Sequence, residues 1–309
     1  MRKIKLANIA FMMSALMPFI VAEFLYLAGI ETMNALTSIL LSQTVFVFPA
    51  VVYLILNREN PIKELRVKKV RLSNIFLIIV FTYLCQPLIS LVNCISMIFN
   101  RSDISDTVSE IGNQHSLLIA IFAAAVVPAI CEEMMYRGII YNEYHKKSPR
   151  MAIVFSALLF GLLHGNLNQF SYAFVIGLIF CLMNEATDSI LASVIMHFVI
   201  NCTSAVSAYF LQKLSNAIEQ ANGVAVDSIS DNLDKVGLMQ MACNLVIPAI
   251  VASVLAFLIY RLIAIRTGRY EYIKSIFVKN ESSQKGNSII TIPLLIGIVA
   301  CLYRIICSL

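Results

Sequence analysis

Long apolar runs recur along the whole chain, and they limit its fold more than any other feature. Each has roughly the 20 residues that a helix needs to cross a bilayer, and the charged residues are concentrated between the runs. In total, 59% of the residues are hydrophobic and 13% are charged, against about 25% charged in a soluble domain. Backbone in lipid must satisfy its own hydrogen bonds, so the runs predict an all-α, polytopic transmembrane helical bundle.

The runs predict about eight to nine membrane helices, with a four-helix core in the middle of the chain. We expect N-terminal transmembrane helices at 1–114, the core at 115–211, and an external polar segment with C-terminal transmembrane helices at 212–309. The apolar runs are Leu6–Ile30, Ala35–Leu56, Ser73–Phe99, Leu117–Ile140, Met151–Leu163, Phe170–Met183, Ile190–Leu211, Leu238–Ile265 and Ile289–Leu309. Pro87 and Pro128 are expected to bend the third and fourth helices.

Lysine and arginine are unevenly distributed between the segments that join the runs. They are abundant in Asn57–Arg71, in Tyr141–Arg150 and in 266–285, whereas Asn100–Gln114 and Gln212–Gly237 are mainly acidic. Because cytoplasmic loops carry the excess of basic residues, this pattern predicts a multi-pass membrane protein with a cytoplasmic N-terminus. The Lys- and Ile-rich composition without Trp favours a bacterial plasma membrane.

The net charge and the cysteines exclude several other classes of protein. The net charge of +5 lies in short loops, so the lipid bilayer is the expected partner and nucleic acid is not. The eight cysteines are scattered singly, which argues against a disulfide framework or a thiolate metal site. Cys131 adjoins two glutamates, and a nucleophilic role is a minor alternative for it.

Three charged residues lie inside the fourth apolar run: Glu132, Glu133 and Arg137. A charge at membrane depth costs about 2.5–3.5 kcal/mol on insertion scales, so such residues normally serve a function. Glu133 and Arg137 have the spacing of a helical ion pair. Glu132 points about 100° away from Glu133 and is left as the reactive carboxylate. A purely structural cluster that bridges helices remains the alternative.

Two histidines in later apolar runs can complete a site with Glu132. His164 follows Phe160 by four residues, and His197 precedes Asn201 by four, so each pair shares a helix face. A carboxylate and a histidine can activate a water molecule, while a second histidine and an amide can stabilise an oxyanion.

Two other functions for the same residues stay open. Glu132, His164 and His197 could instead bind zinc, with metal-bound water as the nucleophile. A proton relay in a transporter is a further alternative, although the chain has no internal repeat.

The three motifs resemble those of the CPBP family of intramembrane proteases. Glu132-Glu-Met-Met-Tyr-Arg137 matches EExxxR, Phe160-Gly-Leu-Leu-His164 matches FxxxH, and His197-Phe-Val-Ile-Asn201 matches HxxxN, in the family's order. This family includes the eukaryotic CAAX prenyl endopeptidase and bacterial enzymes linked to bacteriocin processing and self-immunity. The resemblance covers about Leu117–Leu211, so it implies that the four-helix core at 115–211 is the catalytic core.

The resemblance implies a role for each of these residues. Glu132 would activate water with His164, His197 and Asn201 would stabilise the oxyanion, and Glu133 and Arg137 would hold the site together. It implies an endopeptidase that cuts a membrane-embedded or membrane-tethered peptide or protein, without a certain cofactor but with zinc as an alternative. A non-catalytic bacteriocin-immunity or scaffold protein is the main competing function. Because bacteria generally lack prenylated CAAX proteins, we expect a peptide or a lipoprotein-like substrate.

The predicted topology places His164 near the outer end of a short helix, away from Glu132 and His197. For the three residues to meet, this helix must lie deeper, or the segment after His164 must re-enter the membrane. Polar backbone is tolerated there only beside protein or water. We therefore predict a water-filled cavity with Asn166, Asn168 and Gln169 at its wall.

Overall fold

A computed structural model describes residues 2–30, 32–100, 110–222, 235–278 and 289–308, and these ranges contain helices but no strand. Residues 110–114 are helical as well. The other helices are labelled in chain order: α1 (Arg2–Leu27), α2 (Ala35–Asn57), α3 (Pro61–Glu64), α4 (Leu72–Phe99), α5 (Leu117–His145), α6 (Pro149–Leu163), α7 (Leu167–Thr187), α8 (Ile190–Asn222), α9 (Lys235–Arg266), α10 (Tyr270–Val278) and α11 (Ile292–Cys307).

Seven of these helices are long and apolar enough to span a membrane: α1, α2, α4, α5, α7, α8 and α9. The helices α6 and α11 are apolar but have only 15 and 16 residues. All nine coincide with predicted apolar runs, which confirms the polytopic helical bundle.

Several helices extend beyond their predicted ends, and two of these extensions matter most. The predicted fourth helix continues from Ile140 to His145, and α8 continues through residues 212–222, which the sequence had placed in a polar external segment. In the two acidic segments, residues 110–114 and 235–237 are helical as well, whereas 101–109 and 223–234 lie outside the described residues. The placement of both segments on the outer side stays a prediction.

Ion pairs gather the basic segments at one end of the bundle, called here the basic end. Lys3 of α1 lies 2.7 Å from Glu59, and Lys146 after α5 lies 3.7 Å from Glu64. Glu185 near the end of α7 pairs with Arg269, which precedes α10, at 3.0 Å. The segments that were predicted to share one side of the membrane therefore lie together, and the cytoplasmic orientation of that side stays a prediction.

Glycines allow close contacts between neighbouring helices. A Cβ at Gly177 of α7 would lie 2.8 Å from the Cα of Ala157 in α6. A Cβ at Gly297 of α11 would lie 2.8 Å from the Phe11 ring of α1. Small residues are the usual contact surface between membrane helices, because hydrocarbon tails are as apolar as any side chain and only close packing favours association.

Candidate active site

The helix α5 carries both glutamates, and its backbone is irregular on either side of them. A π-helical segment, Phe122–Val126, precedes the α-helical turn Val127–Glu133, and a second one, Met134–Tyr141, follows it. Pro128 lies at the start of the α-helical turn and cannot donate a backbone hydrogen bond, so it favours an irregular helix at this position. π-Helical segments often occur at functional sites.

Glu133 is fully buried, and one of its carboxylate oxygens accepts two hydrogen bonds. Its Oε1 accepts hydrogen bonds from Arg137 at 2.9 Å and from Nδ1 of His197 at 3.0 Å. The Arg137 guanidinium also lies over the Phe160 ring, 4.3 Å from the ring centroid. The ion pair expected from the spacing is thus present, and the contact from Glu133 to His197 is an addition that the spacing did not indicate.

Glu132 faces the inside of the bundle and accepts a hydrogen bond from a neighbouring helix. Its Oε1 accepts a hydrogen bond from Nε2 of Gln43 in α2 at 3.0 Å, and its Oε2 lies 3.8 Å from Nε2 of His197. The second distance is too long for a direct hydrogen bond, but a water molecule beside both atoms could bond to each. The Glu132 side chain keeps 13% of its surface exposed, so a reactant can reach it.

His164 lies at the C-terminal end of α6, and its ring is oriented by its own helix. The Nδ1 atom lies 2.8 Å from the carbonyl oxygen of Phe160. A carbonyl can only accept, so Nδ1 carries a proton, and Nε2 of the neutral ring is then free to accept a hydrogen bond. The Phe160 ring meets the His164 ring edge-on at 5.0 Å. FxxxH therefore fixes this histidine through both the backbone and the ring of Phe160.

A cavity of about 760 Å³ joins these residues, and it matches the predicted cavity. Glu132, His164, His197 and Asn201 all line it. Its polar wall otherwise includes Gln43, Gln86, Asn93, Asn168 and Gln169. Its size is typical of a ligand site, and its many amides suit water better than lipid.

The turn after His164 differs from the prediction in one residue and in its shape. Asn166 does not line the cavity; its Oδ1 accepts from the backbone N–H of Gln169 at 2.7 Å and so caps α7. Gly165 makes the turn with a φ of +75°, and α7 begins two residues later. No long non-helical stretch re-enters the bundle here, because the short helix α6 itself ends beside the cavity.

Several cavity residues come from outside the predicted core. Gln43 is in α2, Gln86 and Asn93 share one face of α4, and Arg304 is in α11. The side-chain amide of Asn168 donates to Oδ1 of Asn93 at 3.0 Å, which links α4 to α7. Amides inside long apolar runs were the available signal for Gln43, Gln86 and Asn93.

The zinc alternative fits only part of the geometry. Both histidines use Nδ1 for a hydrogen bond and direct Nε2 to the cavity, as metal-binding histidines do. Within the described part of the chain, however, no three His, Cys, Asp or Glu side chains are close enough together to bind a metal ion. As placed, Glu132, His164 and His197 are therefore not close enough together to bind one ion, and the zinc alternative stays a prediction.

Cys131 is only partly buried and does not line the cavity. Its thiol is thus not directed towards the space that Glu132 and the two histidines share. The structure gives no support to the alternative in which this cysteine is the nucleophile.

Comparison with known families gives a match in the middle of the chain. The family described as "Type II CAAX prenyl endopeptidase Rce1-like" matches residues 114–203, which is less than a third of the chain and includes all three motifs. No curated protein and no solved structure matches the chain. The match does not bear on metal dependence or on bacteriocin immunity. Residues 114–203 are thus similar to the CAAX-type endopeptidases, which supports the resemblance to the CPBP family of intramembrane proteases that the three motifs carry.

Proposed function

We propose that this protein is an intramembrane endopeptidase that hydrolyses a membrane-associated peptide or protein with a water molecule activated by Glu132. The observation that carries the proposal is the shared cavity: a reachable carboxylate, two oriented histidines and an asparagine amide line one polar space inside an apolar bundle. The family match to residues 114–203 supports the same class of reaction.

The first step is the attack of water on the scissile carbonyl carbon. Glu132 takes one proton from the water as the new C–O bond forms, while the unprotonated Nε2 of His164 accepts a hydrogen bond from the other and orients the molecule. Gln43 holds the opposite oxygen of Glu132, so Oε2 is the atom left to take the proton. The electrons of the carbonyl double bond move onto oxygen and give an oxyanion.

His197 and Asn201 are placed to stabilise that oxyanion. They lie one helical turn apart on α8, and the Asn201 amide makes no hydrogen bond with any residue in the described ranges. With Nδ1 bonded to Glu133, a protonated His197 would donate from Nε2 into the cavity.

The second step breaks the peptide bond. Glu132 passes its proton to the leaving nitrogen, the oxyanion electrons re-form the carbonyl bond, and the C–N bond breaks. The products are a carboxylic acid and an amine, and Glu132 returns to its ionised form. Every proton in the two steps is accounted for by Glu132 and by the attacking water.

The test compares peptide termini in membranes of cells that produce the wild-type protein, Glu132→Gln or Glu219→Ala. Glu132→Gln keeps the size of the side chain but cannot take a proton, so we expect termini that appear with wild type to be lost. Glu219 is exposed at the end of α8, and Glu219→Ala should keep them. The same termini in the Glu132→Gln sample would refute the mechanism, and treatment of purified protein with a chelator would separate it from the zinc alternative.

A further inference from the structure

The helix α11 brings a positive charge to the cavity from outside the segment that matches the family. Arg304 lines the cavity together with Glu132 and His164. Among the cavity residues that the structure describes, it is the only lysine or arginine. A cation that faces a membrane-embedded cavity is costly, so it needs either a protein partner or a ligand.

The structure positions Arg304 without neutralising it. One guanidinium nitrogen donates to the backbone carbonyl of Leu163 at 3.2 Å, and no aspartate or glutamate of the described ranges forms an ion pair with it. The guanidinium also packs on the turn after His164, because a Cβ at Gly165 would lie only 2.7 Å from it. The charge is therefore held next to His164, while most of its hydrogen-bond donors remain available.

A second polar group on the cavity wall is also unused. Tyr136 lines the cavity, its side chain is buried, and its hydroxyl has no hydrogen-bond partner within the described residues. A buried hydroxyl without a partner costs free energy, so this group is suited to a ligand that accepts a hydrogen bond.

We propose that Arg304 binds the free C-terminal carboxylate of the peptide that is cleaved. The planar fork of a guanidinium matches a carboxylate in two parallel hydrogen bonds. The charge of Arg304 is permanent, so it favours an anion that the substrate already carries over the oxyanion that forms only briefly. This inference rests on the proposed function, because it places the carboxylate in the cavity of Glu132.

One consequence concerns where the enzyme cuts. If the carboxylate is fixed at Arg304, the scissile bond must lie at a set distance from the C-terminus, namely the span from Arg304 to Glu132. Substrates would then be chosen by a free chain end within reach of the cavity.

The experiment measures binding, so it does not depend on turnover. The probes are two pools of fluorescein-labelled peptides of six random apolar residues, one ending in a carboxylate and the other in a carboxamide. They are applied in detergent to immobilised Glu132→Gln, Glu132→Gln/Arg304→Gln and Glu132→Gln/Arg266→Gln. Arg266 bonds to Ser73 at the basic end and does not line the cavity, so it is the matched control.

We expect Glu132→Gln to bind the carboxylate pool about ten- to hundredfold more tightly than the carboxamide pool. Arg304→Gln should bring this ratio close to one and leave carboxamide binding unchanged, which also shows that the fold is intact. Arg266→Gln should keep the ratio. Equal binding of both pools by Glu132→Gln, or an equal loss of both in Arg304→Gln, would overturn the inference and indicate an oxyanion or a structural role.

The two proposals fail in different ways. If wild type hydrolyses neither pool while Arg304 still gives selective binding of the carboxylate, the proposed function is wrong and the carboxylate site stands. If wild type hydrolyses both pools equally well and Arg304→Gln changes neither rate, the protease stands and the carboxylate site falls.

Discussion

At the scale of single residues, the site depends on Oε1 of Glu133, which accepts hydrogen bonds from both Arg137 and His197. Arg137 neutralises it, and His197 is oriented by it. This is the usual relation between a carboxylate and a catalytic histidine, in which the carboxylate fixes the tautomer and the ring direction. Glu133 is therefore a positioning residue, although it neighbours the carboxylate that we propose as the base.

Glu133→Gln should destabilise the protein strongly, because it leaves the buried Arg137 without its counter-charge. Breaking one partner of a buried ion pair costs about 3–5 kcal/mol, so the thermal midpoint in detergent should fall by several degrees. The double variant Glu133→Gln/Arg137→Gln removes both charges and should recover part of the loss. A single variant as stable as wild type would show that the pair does not hold the site together.

Gln43→Leu should lower peptide turnover without unfolding the protein. Gln43 donates a hydrogen bond to Glu132, and such a bond to a charged group contributes about 1.5–3 kcal/mol, so kcat/KM should fall about ten- to hundredfold. Gln86→Leu is the matched control, since Gln86 lines the same cavity without a hydrogen bond to Glu132. Similar losses in both variants would assign the effect to cavity polarity in general.

At the scale of secondary-structure elements, the turn between α6 and α7 sets the position of His164. Gly165 has a φ of +75° and lies against the Arg304 guanidinium, so this turn also connects α6 to α11. Glycine meets both requirements, because it adopts positive φ readily and has no Cβ to collide with the arginine.

Gly165→Ala should therefore reduce stability more than Gly29→Ala. Gly29 has a nearly equal φ of +71° but has no atom within 4 Å of its hypothetical Cβ, so alanine there should cost only about 1–2 kcal/mol of backbone strain. At Gly165 the new Cβ must also displace Arg304. Thermal midpoints of the two variants give the comparison, and equal shifts would mean that the arginine moves away freely.

The sequence predicts the elements well and their local distortions poorly. The length of the apolar runs alone located the seven membrane-spanning candidates and the two shorter apolar helices, because a helix that crosses a bilayer needs a run of about that length. The two π-helical segments around Val127–Glu133 were not foreseen beyond the expected effect of Pro128. A π-helical turn changes the backbone hydrogen-bond pattern but needs no particular amino-acid composition, so the residue pattern did not predict it.

At the scale of the whole molecule, the basic end is a network that ties distant segments together. Asp188, in the turn between α7 and α8, bonds to Lys68 and to Arg66. Burial acts to raise the pKa of Asp188, but the hydrogen bonds from Lys68 and Arg66 outweigh it and hold the pKa below the usual range. The folded protein thus favours the ionised aspartate.

This shift predicts a loss of stability in acid. The folded-state pKa of Asp188 is lower than its unfolded value of about 3.9, so its contribution is present above that pH and disappears as the pH falls through the folded-state pKa. The thermal midpoint of wild type should therefore drop more steeply below about pH 4 than that of Asp188→Asn. Glu271→Gln, at an exposed position, should follow wild type. Parallel curves for Asp188→Asn and wild type would contradict the prediction.

The motifs indicated only part of the site, since the cavity is assembled by the entire bundle. Glu132, His164, His197 and Asn201 were found because each lies in a short pattern within an apolar run. Arg304 was not, because its relation to His164 depends on how α11 packs against α6, some 140 residues away in sequence. Contacts of this kind depend on how the helices pack, so local sequence patterns do not predict them.

The two short helices, α6 and α11, have a consequence for the lipid around the protein. At 1.5 Å per residue they rise roughly 22–24 Å, against a hydrocarbon core of about 30 Å. A bilayer meets such a mismatch by thinning beside the short elements. Since these helices carry His164 and Arg304, the membrane would be thinnest beside the cavity. Longer acyl chains would then slow the proposed hydrolysis, because they would lengthen the path of water and of a polar chain end to Glu132.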